Sequence, residues 1–169
     1  VTFADGSEVQ GSVKGIDPAG DLVVLEVLTG GVPTLEWTSE LAQIGDVVFA
    51  LSRGGHRSRI SFGLVAAVER PFVGPRGREV RGGIEHTAPL VRGSSGSPLV
   101  DAAGHVVAVN THRVGHGFYV ARPLDAALRA RIDDLAEGHS VEPPSLGVAL
   151  ASSEVAAQLR RSVGLPERA

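Results

Sequence analysis

The chain has 169 residues with 43% hydrophobic content, enough for one domain or slightly more around a sizeable core. A net charge of −3 and a pI near 6.1 argue against a nucleic-acid or anionic-membrane binder. Cysteine is absent, which excludes a disulfide framework and a Cys-based zinc site. No apolar run reaches the roughly 18 residues that a transmembrane helix needs. Methionine is absent too, and the opening V-T-F-A-D-G has neither a charged n-region nor an apolar h-region, so a piece of a longer protein is expected.

In chain order, Val1-Thr2-Phe3 precedes the turn signal Asp5-Gly6, and Val9 to Ile16 alternates loosely. Asp17-Pro18-Ala19-Gly20 is a second turn, and the continuous run Leu22-Val23-Val24-Leu25 predicts a strand buried on both faces. A loop from Gly30 to about Ile44 carries Trp37, read as a packing residue. Val47 to Leu51 is a strand, Arg53 to His56 a turn, and Arg59 to Val68 further strand. Arg70 to Gly83, rich in Gly, Pro and Arg, predicts an exposed loop. Leu99-Val100, the turn Asp101 to Gly104, and Val106 to Val109 form a hairpin, and Gly117 to Ala121 supplies one more strand. Leu124, Ala127, Leu128, Ile132 and Leu135 recur at helical spacing until Gly138. After a linker, Ser145 to Leu150 reads as loop and strand, and a helix capped at Ser152 or Ser153 runs to about Val163 before Gly164.

Chemistry concentrates in Gly93-Ser94-Ser95-Gly96-Ser97-Pro98. Glycines flanking a serine let the backbone turn tightly enough for neighbouring N–H groups to converge beside its hydroxyl, as at a nucleophile with an oxyanion hole. On these six residues alone a pliant Gly/Ser loop is served equally well. The nucleophile elbow of an α/β-hydrolase needs a G-x-S-x-G turn leading into a helix. Here the fifth position is Ser97 and a strand hairpin follows.

Gly93 to Val100, with the hairpin to Val109-Asn110-Thr111, resembles the G-N-S-G-G-P-L-V…G-x-V-I-G-I-N-T block of trypsin-like serine proteases, in particular the HtrA (DegP-like) family. Two further segments agree in order. Asp17 to Val27 is similar to the family's D-x-x-x-D-L-A-V-L-K-V segment, and Ile44 to Leu51 to its V-G-D-x-V-x-A-I-G strand. Leu146-Gly147-Val148 with Arg161 to Pro166 looks like the start of the family's PDZ domain.

The resemblance implies a mainly β fold, a trypsin-like double β-barrel with its first barrel incomplete, a closing helix and the beginning of a PDZ domain. The divisions expected are residues 1–36, 37–138 and 139–169. It implies a serine endopeptidase acting through an acyl-enzyme on Ser95 in protein quality control, with Asp21 as the acid of the triad and the N–H groups of Gly93 and Ser95 as oxyanion donors. Ser94 replaces the usual Asn between them, a change that backbone donors tolerate. Asp17 is the rival acid; it precedes Pro18 in a turn and is expected to be solvated, whereas Asp21 at the mouth of an apolar strand is expected to be shielded.

The family's histidine lies upstream of the aspartate in a T-N-x-H-V segment, and this chain has no His before His56. The expectation is therefore an inactive fragment whose base lies in preceding sequence; the other reading is a non-catalytic peptide-binding scaffold. Substrate contacts fall on Pro89, Leu90, Asn110, Thr111, His112, Gly117, Phe118 and Tyr119. No carboxylate stands at the pocket floor, so small or aliphatic side chains are expected there rather than Lys or Arg. Leu146, Gly147 and Val148 match the carboxylate-binding loop of a PDZ domain, where backbone N–H groups capture a peptide C-terminus. His112-x-x-x-His116 has the spacing of some zinc ligands, but lies in strand and turn with no third ligand in view, so no metal or other cofactor is expected. Partners implied are polypeptide substrates, peptide C-termini and a homo-oligomer of the full-length protein, in an extracytoplasmic compartment.

Overall fold

The computed structural model describes residues 1–3, 5–18, 20–54, 57–73, 79–115, 117–141, 158 and 160–164. Among the described residues eight named strands and one named helix make it mainly β, in the order β1 (Ser12–Asp17), β2 (Leu22–Glu26), β3 (Val47–Gly54), β4 (Arg57–Val73), β5 (Glu79–His86), β6 (Pro98–Val100), β7 (Val106–Gly115), β8 (Phe118–Pro123) and α1 (Ala126–Ala136). All six strands from β3 onward close into an antiparallel barrel in the order β3-β4-β5-β8-β7-β6, and β1 and β2 form a separate hairpin.

Period-two alternation builds the barrel. Along β3 and β4, Val48, Ala50 and Val65 point inward, while Val47, Ile60, Phe62 and Leu64 face out. Ile84 and Ala88, Leu99, Val107, Ala108 and Ala121 complete the interior. A second cluster fills the space outside the wall: Val100 and Val106 meet Leu124 and Leu128, with Leu22, Trp37, Phe49, Leu51 and Ile132 packed around them. Trp37 is a packing residue here, and the Arg129 guanidinium sits 4.9 Å from its ring centroid.

The helix forms where the 3.6-residue pattern predicts it. Asp125 caps it, accepting from the Leu128 N–H at 2.7 Å, and the chain leaves through Gly138 at φ +93°. Leu128 and Leu135 are its buried residues. The C-terminal end of α1 holds the β1–β2 hairpin. Ile16 N–H donates to Ser140 Oγ at 3.1 Å, and Val141 N–H to Ile16 O at 2.9 Å.

Two expectations are corrected. Leu22 to Leu25 is not buried on both faces: Val23 is 55% and Leu25 47% exposed. The hairpin has a single strand partner for each strand and packs on α1 from one side, so alternate apolar residues face outward. Nor is Arg70 to Gly83 simply an exposed loop. β4 runs to Val73, β5 begins at Glu79, and Phe72 is buried opposite Val80. Register shifts along β4–β5 absorb the irregular sequence that reads as loop, and Glu69 at φ +55° lies within one of them. Of the tail, Gln158 and residues 160–162 are helical. His56, His116 and Leu146-Gly147-Val148 lie outside the described residues.

Candidate active site

The glycine-flanked serine sits in a tight turn that β6 and β7 brace. Gly93 and Gly96 take φ +88° and +85°, a left-handed backbone that side chains disfavour, so glycine at both positions lets the chain reverse on either side of Ser95. The turn is knit by Ser94 N–H to Val91 O at 3.2 Å, Ser97 N–H to Ser94 O at 3.0 Å and Gly96 N–H to Asn110 O at 2.7 Å. Among the described residues, the N–H groups of Gly93 and Ser95 take no part in this set. An oxyanion hole needs two such donors free. Ser94, in contrast, is buried and spends its hydroxyl on Val91 O at 2.8 Å.

Ser95 is exposed, and its Oγ donates to the Thr111 carbonyl at 2.5 Å. It opens on a cleft of about 300 Å³ lined by Leu90, Val91, Arg92, Gly93, Ser94, Ser95, Thr111 and Tyr119. Among the described residues no carboxylate lines this cleft, and Arg92 does. A larger cleft of about 480 Å³ lies behind the turn, between Leu51 to Arg53, Ser58 to Ile60 and Ser97-Pro98, without touching Ser95.

The predicted substrate residues divide. Leu90, Thr111 and Tyr119 line the cleft. Pro89 is exposed outside it, its carbonyl accepting from Ser61 Oγ at 2.5 Å. Gly117 and Phe118 are also outside, one exposed and the other half-buried. Asn110 is buried, its backbone N–H and carbonyl already bonded to Ser97 O and Gly96 N–H. His112 contributes backbone to β7 opposite Val120, and its side chain lies outside the described set.

The two aspartates exchange the environments expected of them. Asp17 is the shielded one, with Oδ1 accepting from Gly20 N–H at 2.9 Å and Oδ2 from Arg131 Nε at 2.9 Å. Asp21 is exposed and stands at φ +54°. The cause is a long-range one: Arg131 on α1 and Arg122 on β8 both converge on the 17–20 turn, Arg122 donating to Gly20 O at 2.5 Å. Burial pushes the Arg122 guanidinium down from its ordinary range, against the attraction of Asp17, Asp125 and Asp21. Asp21 therefore lies in the field of a cation. Among the described residues no histidine side chain bonds to Ser95 or Asp21: His105 pairs with Asp101 and Glu36, His139 with Glu137, and His86 with Asn110.

His86, and the partnership that Asn110 makes with it, are what sequence reasoning missed. His86 is wholly buried, its Nε2 lies 2.9 Å from Asn110 Oδ1, and its ring stacks on Tyr119 with centroids 5.8 Å apart. The signal was present: Ile84, His86 and Ala88 alternate on the inward face, so a histidine occupies an apolar register position. Among the described residues no group of acidic or imidazole side chains is arranged to hold a metal ion. Within the same set no helix is long and apolar enough to cross a membrane.

Comparison with known proteins agrees with this geometry. Residues 1–109 match the trypsin-like peptidase domain. The putative serine protease HhoB of Synechocystis is 32% identical, covering 98% of this chain and 41% of the relative. The probable periplasmic serine endoprotease DegP-like of Chlamydia trachomatis is 33% identical over 89% of this chain and 31% of its own length. The chain thus spans about two fifths or less of these curated relatives. Among solved structures, the HtrA-type protease AlgW with a decapeptide superposes with a TM-score of 0.73 at 30% identity, covering 99% of this chain and 52% of that one. Deg5 superposes with a TM-score of 0.65 at 28% identity, over 83% and 68%. The chain belongs to the trypsin-like peptidase family, on its HtrA-type serine protease branch.

Proposed function

We propose that this chain carries the nucleophile half of a serine endopeptidase. The supporting observation is the Gly93 to Ser97 turn, which leaves the Gly93 and Ser95 N–H groups uncommitted beside an exposed hydroxyl. Ser95 Oγ attacks the peptide carbonyl carbon while its proton passes to a base, and the two N–H groups take the oxyanion of the tetrahedral intermediate. Collapse expels the amine, which leaves with that proton; water then hydrolyses the ester and restores the serine. Asp21 orients the base, a histidine from a part of the longer protein that this chain does not span. Without it, Ser95 keeps an alkyl alcohol's weak nucleophilicity, and the 169 residues alone turn over no substrate.

The cleft supports small or aliphatic side chains next to the scissile bond, because Leu90 and Val91 line it and Arg92 repels cations. The hairpin before Trp37 is read as the remnant of a first barrel and residues 139–169 as a linker and PDZ start. An extracytoplasmic site of action accords with a relative named periplasmic, and the role assigned there is protein quality control.

A second reading, a non-catalytic peptide-binding scaffold, is favoured by one observation: the Ser95 hydroxyl donates to the Thr111 carbonyl instead of to a base. Sequencing the gene upstream of Val1 and exposing the full-length product to a fluorophosphonate separates the two. A histidine some distance before Asp21, with labelling at Ser95 that Ser95→Ala abolishes, is expected. No histidine and no labelling establishes the scaffold.

A further inference from the structure

We propose that His86 is a positioning residue for the nucleophile turn, acting through Asn110 as a neutral imidazole with its proton on Nε2. This rests on the reading of Ser95 as nucleophile, but its parts can be measured without catalysis.

Asn110 grips the two residues that follow Ser95. Its backbone N–H donates to Ser97 O at 2.9 Å, its carbonyl accepts from Gly96 N–H at 2.7 Å, and its side-chain Nδ2 donates to Ser97 O and to Ser97 Oγ, each at 3.1 Å. With Nδ2 committed to Ser97, the amide oxygen must face the other way, and there it meets His86 Nε2 at 2.9 Å. An amide oxygen only accepts, so Nε2 must carry the proton. The opposite tautomer would set a lone pair against Oδ1. Flipping the amide to relieve that would turn Oδ1 onto the Ser97 carbonyl, acceptor against acceptor. The imidazole proton therefore selects the amide orientation, and the amide fixes residue 97.

The surroundings keep the ring in that state. His86 is fully buried, and its Nδ1 has no partner among the described residues. Val65 lies across from it on β4, Tyr119 stacks on it from β8, and Asn110 reaches it from β7. Among the described residues Tyr119 is the titratable group facing it; Glu85, its neighbour on β5, pairs with Arg70 at 3.4 Å. Burial lowers the imidazole's pKa, against a smaller upward pull from Asn110, and no carboxylate or cation among the described residues contributes. A cation at Nδ1 would be desolvated without an acceptor. Tyr119 also lines the cleft that Ser95 opens on, so the ring under it supports the cleft wall as well as the turn.

The test uses the 169-residue chain, labelled with ¹⁵N. Two-bond proton–nitrogen spectra should show the His86 proton on Nε2, unchanged as pH falls from 8 through 6. Amide exchange should then be compared in His86→Leu and His86→Gln, since the Gln amide nitrogen restores a donor near the Nε2 position. In the Leu variant Gly96 exchange should accelerate about tenfold while β4 is unaffected, and in the Gln variant it should stay within about threefold of the parent. A proton on Nδ1, a ring that titrates near its ordinary value, or equal exchange in the Leu and Gln variants would overturn the proposal. Should the Leu variant not fold, the tautomer of the parent and the exchange of the Gln variant still decide it. Fluorophosphonate labelling of Ser95 in the longer protein is scored independently, so failure of the nucleophile reading leaves a distinct result.

Discussion

Asp21 stands in a backbone conformation that an aspartate adopts at some cost, φ +54°. Strain of this kind belongs where a side chain is held for a task. Asp21→Gly should therefore stabilise the chain by about 0.5–1 kcal/mol in urea unfolding, while removing endopeptidase activity from the full-length protein. A fall in stability would show that the carboxylate is held by contacts instead. Asp17 behaves oppositely: Asp17→Ala leaves Arg131 only the exposed Asp134 carboxylate at 3.8 Å, and Arg131 Nη2 is already buried without a partner among the described residues. A loss of about 2–3 kcal/mol is expected, discounted from a fully buried pair because both side chains keep some solvent contact. The buried imidazole adds a pH dependence. The folded state holds His86 neutral, whereas the unfolded chain takes up a proton as pH falls below its ordinary 6.5. The unfolded state then binds more protons, so stability is complete above pH 6.5 and falls as the solution is acidified. Urea midpoints at pH 7.5 and 5.5 should separate in the parent and draw together in His86→Gln.

Single elements follow local rules wherever local information is enough. The closing helix is the clearest case: its apolar period, Asp125 before it and Gly138 after it all sit where the structure uses them. Asp125→Ala should cost about 1 kcal/mol, read as a lower thermal midpoint, and a change smaller than a few tenths would mean that tertiary packing alone holds the first turn. The β6–β7 hairpin was equally legible, since Asp101 N–H meets His105 O at 2.9 Å across the turn signal. What stayed hidden depended on distant partners. Which of Asp17 and Asp21 is shielded is decided by Arg131, 114 residues away from Asp17, and no local pattern carries that. The β4–β5 extension hid behind Gly and Arg because register shifts let unpromising sequence pair. The tight turn could be read from the glycines between Gly93 and Pro98, but the His86–Asn110 support joins β5 to β7 and needed the barrel to close first.

At the scale of the molecule, the barrel and the hairpin are held by different means. Every barrel strand is flanked by two neighbours, and its interior is continuous apolar packing. Among the described residues the hairpin pairs with no further strand, and it leans on the end of α1 and on two arginines. At Gly15 it runs tightly against the helix, where an added Cβ would lie 2.8 Å from the Leu135 Cα. Opening the hairpin alone should therefore need less free energy than opening the barrel. Amides of residues 12–26 should exchange well before those of 47–109, and equal protection in both would refute this division. Gly15→Val sharpens the test, because the added side chain strikes backbone that cannot move without disturbing the helix. It should accelerate exchange across β1 and β2 by about tenfold or more and leave β3 to β8 close to the parent. If barrel protection fell in step, the hairpin would be part of one cooperative unit, and the aspartate would be positioned by the whole fold rather than by the arginine clamp.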